Sequence, residues 1–257
     1  MPAAIVTGAT SGIGRALARE LATRGYDLGL TARRETLLSE LASEITTRHP
    51  GGRVAIRPVD VTDLDAMRDA VRSLFVELGH VGLVVANAGI GGTHRVGTGH
   101  FERARDIVAT NLLGAMATID AAVECWRADP GPGPRRIAGV TSVAGFRGLP
   151  GSSAYSASKA GLSVYLEAAR GELAPLGIEV VDIAPGFIDT PINQDMASRP
   201  FLIDPADGAR RIADLIERGV LRTTVPVWPW TGIGWLMRAI PDAIWTRVSA
   251  GAHRGRQ

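Results

Sequence analysis

The chain has 257 residues, 46% of them hydrophobic and 21% charged, which suits a soluble globular protein with a sizeable core. The formal net charge is only +2, so despite a sequence pI near 9.1 there is no electrostatic case for a nucleic-acid partner. A single cysteine, Cys125, excludes an intrachain disulfide.

Short apolar runs alternate with longer amphipathic segments. The pattern predicts a buried strand over 3–7, a helix over 12–23, a strand over 28–31 and a helix over 35–48. A third strand over 54–59 precedes a helix over 63–78 that Thr62 or Asp63 can cap, and a fourth strand follows over 81–86. One long helix over 101–126 leads into a turn-rich stretch at 129–134. A fifth strand over 137–142, a helix over 153–173 and a sixth strand over 178–183 come next. Residues 186–204 lack sustained periodicity, a helix follows over 205–218, and Val225 and Val227 suggest a short last strand interrupted by Pro226 and Pro229. Near-continuous apolar strands are those covered on both faces. Repeated strand–helix units make a parallel sheet with right-handed crossovers, so the expected architecture is α/β: one doubly wound, Rossmann-like domain over 1–257. Within it, 186–218 is read as substrate loop and lid helix, and 225–257 as a C-terminal tail.

Cys125 lies in an apolar, helix-like run and is expected to be a buried, inert thiol. The first strand begins almost at once, with no positively charged leader before an apolar stretch, and the expected location is the reducing cytoplasm. No metal site is expected.

The first strand runs into Thr7-Gly8-Ala9-Thr10-Ser11-Gly12-Ile13-Gly14 and then a helix. Glycines at this spacing permit a tight turn and close approach of backbone to a pyrophosphate, while the helix N-terminus supplies amide donors and a favourable dipole. Tyr155 and Lys159 are four apart in a predicted helix, so they share a face. A phenol titrates near pH 10 in isolation, and a neighbouring ammonium, together with the positive ring of an oxidised nicotinamide, would favour the phenolate and lower that value. After the second strand stand Ala32, Arg33 and Arg34. No carboxylate there repels a 2′-phosphate, and the two guanidiniums can bind one through charge-assisted forks. Arg15 can approach from the other side. The expected cofactor is therefore NADP(H), with NAD(H) the lesser expectation.

The glycine loop, Asn87-Ala88-Gly89 and Tyr155-Ser156-Ala157-Ser158-Lys159, with Asp60-Val61, Asn111, Ser142, Pro185-Gly186 and Thr190 in order, resemble the short-chain dehydrogenase/reductase family. The likeness covers about 3–190 and fits its single-domain branch. It implies an oxidoreductase that moves hydride between a nicotinamide cofactor and a carbonyl/alcohol pair. It also implies that Gly8, Thr10, Ser11, Gly12, Ile13, Gly14 and Arg15 cradle the cofactor and that Asp60 and Val61 hold the adenine edge. Asn87, Ala88 and Gly89 would form a floor, and Ile188 and Thr190 after Pro185-Gly186 would meet the nicotinamide carboxamide. Tyr155 would be the general acid/base, Lys159 would bind the ribose hydroxyls, Ser142 would hold the substrate oxygen, and Asn111 would keep a relay water. Homodimers or homotetramers are implied, the dimer pairing through the helices that carry Asn111 and Tyr155.

Gly91, Gly92, 143–149 and Phe187 are candidate substrate positions. Being small or apolar, they suggest a fairly hydrophobic ketone or aldehyde, although His94-Arg95 could meet an anionic group. The tail carries Trp228, Trp230, Trp235 and Trp245. Its uncharged stretch over 225–237 is too short and too broken to cross a bilayer. Packing on the protein's own body, an oligomer interface and peripheral membrane contact are its possible roles. Two other functions compete: a catalytically silent cofactor-binding scaffold, which the intact Ser142, Tyr155 and Lys159 disfavour, and a nucleotide-sugar epimerase, which the short chain disfavours.

Overall fold

The computed structural model describes residues 2–254, with side chains through residue 250. Among the described residues, seven parallel strands form one sheet in the order β3-β2-β1-β4-β5-β6-β7. They are β1 (Ala3–Thr7), β2 (Asp27–Ala32), β3 (Val54–Pro58), β4 (Val81–Ala86), β5 (Arg135–Val140), β6 (Ile178–Pro185) and β7 (Arg222–Val225). On one face lie α1 (Gly12–Thr23), α2 (Glu35–Arg48) and α7 (Pro205–Glu217), whose apolar stripes close over Val6, Leu30, Val85, Val140 and Ile183. On the other lie α3 (Leu64–Leu78), α5 (Gly114–Ala128) and α6 (Ser153–Leu173), packed on Ile5, Val84, Ile137 and Val180. With helices on both faces, β1, β2 and β4 are buried throughout, which explains their apolar or small-residue sequences; the one charged exception, Asp27 at the start of β2, is paired with Arg53 at 2.9 Å. Strand order reverses between β1 and β4, and the crevice of a doubly wound fold opens there, at the strands' carboxyl ends. Asp63 caps α3, its Oδ1 accepting from the Ala66 amide at 3.1 Å.

Three departures from the sequence reading matter for the site. The helix expected over 101–126 is broken: α4 (Phe101–Val108) passes through a π-helical turn, Ala109–Leu113, before α5 begins. That wide turn carries Asn111, which is fully buried; such turns insert where a side chain must face inward. Second, β5 ends at Val140, so Ser142 does not terminate the strand. It is the N-cap of a 3₁₀ turn, Val143–Gly145, its Oγ accepting from the Ala144 amide at 3.1 Å. Third, Val227 is not in a strand. Pro226 has no N–H to extend β7, and the chain enters α8 (Val227–Ala239) and then α9 (Asp242–Arg254). Within α8, Trp228 is still extended (φ −105°, ψ 135°), and regular helix begins with Pro229, a position proline favours. By contrast, 186–204 holds no helix or strand, only an isolated bridge between Ile188 and Ile203.

The seat of α6 on β5 is open to test with two glycines. A Cβ on Gly139 would lie 2.3 Å from Cδ1 of fully buried Leu166, whereas one on Gly171, exposed in α6, would meet nothing within 4 Å. Gly139→Ala should therefore destabilise the protein by about 1–3 kcal/mol, and Gly171→Ala should stabilise it by about 0.5–1 kcal/mol. Urea unfolding measures both; a neutral Gly139→Ala would mean that α6 does not rest on β5 in this way.

Candidate active site

The glycine loop is held against the end of β4. Thr7 Oγ1 accepts from the Asn87 and Ala88 amides at 3.0 Å each, and Asn87 Nδ2 donates to the Thr7 carbonyl at 2.8 Å. This close seating requires glycine. A Cβ on Gly8 (φ +68°) would come within 2.8 Å of Ala88 Cα, and one on Gly14 within 2.4 Å of Asn87 Nδ2. Gly12 faces Thr190, so the segment after β6 crosses the loop. Ser11 caps α1 without a side-chain hydrogen bond to its first-turn amides. A cradle that any Cβ would fill, at the N-terminus of a helix, suits the pyrophosphate of a dinucleotide.

At the adenosine end the basic residues separate. Arg34 Nη2 donates to Thr10 Oγ1 of the loop at 3.2 Å, while Arg33 is exposed and lies 3.6 Å from Asp60. Burial raises the Asp60 pKa, but hydrogen bonds from Thr62, with Arg33 nearby, outweigh it and hold the carboxyl below its ordinary value. Arg15 turns toward α2, 3.7 Å from Glu44, and its Nε is buried without a protein partner. Val61 is buried against α5 through Gly114.

Ser142, Tyr155, Lys159 and Asn111 converge beyond the ends of β4 and β5. Asn111 Oδ1 accepts from the Ile90 amide at 2.8 Å, and its Nδ2 donates to the Ile90 carbonyl at 3.0 Å and to Ser158 Oγ at 3.1 Å. It is therefore an inward anchor and not a solvent-facing residue. Lys159, 4% exposed, donates through Nζ to the Val140 carbonyl at 2.8 Å and sits 5.9 Å from the centre of the Tyr155 ring. Gly89 leaves room for it: a Cβ there would approach Asn111 Oδ1 at 3.2 Å and Lys159 Nζ at 3.4 Å. The 3₁₀ turn rests on α6, Gly145 against the backbone of Lys159 and Ala160, which brings Ser142 to the phenol. Burial pulls the Lys159 pKa down to about 8, opposed by the charge of Asp182. Burial also raises the Tyr155 phenol above its ordinary value, opposed by a hydrogen bond with Ser142. Within the protein alone, desolvation of the half-buried ring outweighs the hydroxyl, and the ammonium is turned to the Val140 carbonyl; the lowering expected from Lys159 together with an oxidised nicotinamide belongs to the cofactor-bound site.

The other expected residues divide. Thr190 lies on the glycine loop, but the Ile188 side chain is in the core, against Gly208 of α7, and does not face the crevice. Gly186 is covered by Trp230, which also meets Phe187 and Phe201 at ring-centre distances of 5.9 and 5.8 Å. Gly91 and Gly92 do not leave open substrate room; Ile192 and the Arg103 guanidinium occupy it. The loop after Ser142 is tied to the tail: Arg238 stacks on Phe146 at 4.2 Å, Arg147 Nη2 donates to Asp242 at 2.7 Å, and Trp245 Nε1 donates to the Gly148 carbonyl at 3.1 Å. Trp228 and Trp235 stay exposed, so only part of the tail packs on the body. Cys125 is half-buried, not buried; that burial still pushes its thiol up, as an inert thiol requires. The sequence carries a further signal for this residue: Lys159 is the only lysine in the chain. Where arginine serves every other fixed positive charge, a lone lysine marks a place that needs a small ammonium with an adjustable pKa.

Comparison with known proteins bears on the family and the fold. The family described as short chain dehydrogenase matches residues 2–200. An uncharacterized oxidoreductase of Mycobacterium tuberculosis is 35% identical over 246 residues, 95% of this chain and 96% of the relative. Among solved structures, an alcohol dehydrogenase of Thermococcus sibiricus complexed with 5-hydroxy-NADP aligns with a TM-score of 0.77 at 26% identity, over 87% of this chain and 95% of that one. A 3-oxoacyl-[acyl-carrier protein] reductase of Brucella melitensis in complex with NAD aligns with a TM-score of 0.76 at 27% identity, over 87% and 94%. With the glycine crevice, the Asn87-Ala88-Gly89 floor and the Tyr155/Lys159 pair in one place, the chain belongs to the short-chain dehydrogenase family.

Proposed function

We propose that the protein transfers hydride between NADP(H) and a carbonyl/alcohol pair, acting as a reductase of a fairly hydrophobic ketone or aldehyde. The observation that carries this reading is the convergence of Ser142, Tyr155 and buried Lys159 beside a crevice floored by the glycine loop and Asn87-Ala88-Gly89.

The nicotinamide, when bound, supplies or accepts the hydride. The glycine loop and α1 hold the pyrophosphate, and Lys159 holds the ribose hydroxyls. Ser142 Oγ donates to the substrate oxygen and fixes it beside the phenol. Tyr155 gives its proton to that oxygen in reduction and takes it back in oxidation. Losing that proton leaves a phenolate in a desolvated site, where the Lys159 ammonium is the compensating charge. Asn111, locked between Ile90 and Ser158, fixes the π-helical turn beside this group and suits the anchor of a relay water.

Preference for NADP(H) is supported by Arg34 at the loop edge, exposed Arg33, the buried donor Arg15 Nε, and the absence of a carboxylate at 32–34. A hydrophobic substrate is supported by the apolar Val143, Phe146, Phe187 and Ile192 on the segments that follow β5 and β6. One observation favours a refinement. A cavity of about 440 Å³, lined by Thr93, His94, Arg95, Thr98, His100 and Arg103, adjoins the start of α6 through the contact of His94 with Ser153. It contains no carboxylate and suits an anionic substituent on the substrate. For the assembly we favour a homodimer through the helices carrying Asn111 and Tyr155, which expose Leu113 and Val164 (43% and 66%).

Tyr155→Phe should abolish NADPH-dependent turnover across a carbonyl panel while the Kd for NADPH, read by fluorescence titration, changes less than about threefold; retained turnover removes Tyr155 from this role. Arg34→Ala should raise the KM for NADPH at least about tenfold more than that for NADH, and equal changes would mean that Arg34 does not read the phosphate. Light scattering of Val164→Glu should give the monomer mass where the wild type gives the dimer; an undiminished mass would contradict the pairing.

A further inference from the structure

Asp182 has no part in the hydride-transfer scheme, yet it is only 1% exposed. It stands on β6 opposite Gly139 of β5. Thr141 Oγ1 donates to its Oδ1 at 2.6 Å, Ser163 Oγ donates to its Oδ2, and Arg222 Nε on β7 lies 3.3 Å from Oδ2. Thr141 and Ser163 are themselves 3% and 7% exposed. Each hydrogen-bond donor adjoins the site. Thr141 immediately precedes Ser142, and Ser163 lies one turn after Lys159 on the same face of α6. Beyond Asp182 the strand runs on into Pro185-Gly186.

A buried carboxylate is destabilising unless it is hydrogen-bonded and compensated by charge. A buried ammonium has the same problem with the opposite sign. Among the described residues Lys159 forms no salt bridge within 4.0 Å; its one protein acceptor is the Val140 carbonyl. Burial draws it toward the neutral amine, and Asp182 is the charge that acts against this. The other charged or titratable groups around the pair are Tyr155 and Glu167 on α6, Arg222 on β7 and Arg238 on α8. Arg222 is shared between Asp182 and Glu167, 3.9 Å away, so it compensates Asp182 only in part.

We propose that Asp182 is a positioning residue of the active site: a buried carboxylate whose two hydrogen bonds fasten the Ser142 segment and α6, one turn beyond Lys159, to β6, and whose charge acts on the Lys159 ammonium. This rests on the reading of Lys159 as the site's ammonium. Asp182 touches neither substrate nor cofactor and acts through Lys159 and through the backbone it ties down.

Because the chain has one lysine, lysine-selective isotope labelling gives a single side-chain signal, and NMR follows its titration without cofactor or substrate. Removing the anion leaves burial unopposed, so the ammonium should lose its proton at lower pH. The wild-type midpoint is expected at about 8, and in Asp182→Asn it should fall by about 1 unit. Asparagine keeps the shape, an acceptor for Thr141 and a partner for Ser163, so packing is retained. A folded Asp182→Asn with an unmoved midpoint would overturn the proposal, whatever happens to stability or turnover. Should that variant not fold, Arg222→Gln, on a side chain 38% exposed, gives the opposite sign: losing this cation should raise the midpoint, and an unchanged or lower value overturns the proposal equally. Turnover assays fail independently of this titration, so failure of hydride transfer and failure of the Asp182 role are distinguishable.

Discussion

An ammonium that is 4% exposed has given up most of its hydration, a loss of several kcal/mol even after the surrounding protein relaxes. Much of the local architecture around Lys159 answers that loss. β5 stops at Val140, whose carbonyl faces Nζ. The 3₁₀ turn lies directly on the backbone of α6 because Gly145 has no side chain, and Gly89 is small enough for both Asn111 Oδ1 and Lys159 Nζ to lie beside it. Asp182 supplies opposite charge from within the sheet. The same desolvation gives the ammonium its chemical value: at low effective dielectric it acts on a neighbouring phenol more strongly than it would in water.

Much of this was legible in the sequence because it rests on local rules. The glycine loop was readable since backbone packed to within 2.8 Å of Ala88 admits no side chain. The i, i+4 spacing of Tyr155 and Lys159 placed both on one face of α6. Strands buried on both faces left apolar runs that alternate with helices, and from these the doubly wound sheet follows. Asn111 was readable as a site residue only through the resemblance, because a π-helical turn has no composition that separates it from α-helix.

What was not legible depends on contacts between distant segments. Asp182 reads as one polar residue in an apolar strand, and nothing nearby in the chain announces Thr141, Ser163 and Arg222 as its partners. Gly91-Gly92 looked like room for substrate, but the space is filled by Ile192 and Arg103 from elsewhere. The tail misled in another way. Pro226 and Pro229 suggested a broken strand, whereas one proline ends β7 and the other begins the regular part of α8. Trp230 and Trp245 then fasten the tail to Gly186 and Gly148, in the segments that follow β6 and β5. At the Tyr155 phenol the sequence shows the ammonium four residues away but not the desolvation of the ring, which depends on the packing around it.

The most direct test of the central claim is transfer of deuterium from NADPH labelled at the reactive nicotinamide carbon to a panel of ketones and aldehydes, including anionic ones, read by mass spectrometry and NMR of the products. The account requires one deuterium per turnover on the carbon that was the carbonyl, with the hydroxyl proton drawn from solvent. NADPH bound in the glycine-lined crevice with no label delivered to any carbonyl carbon would contradict it.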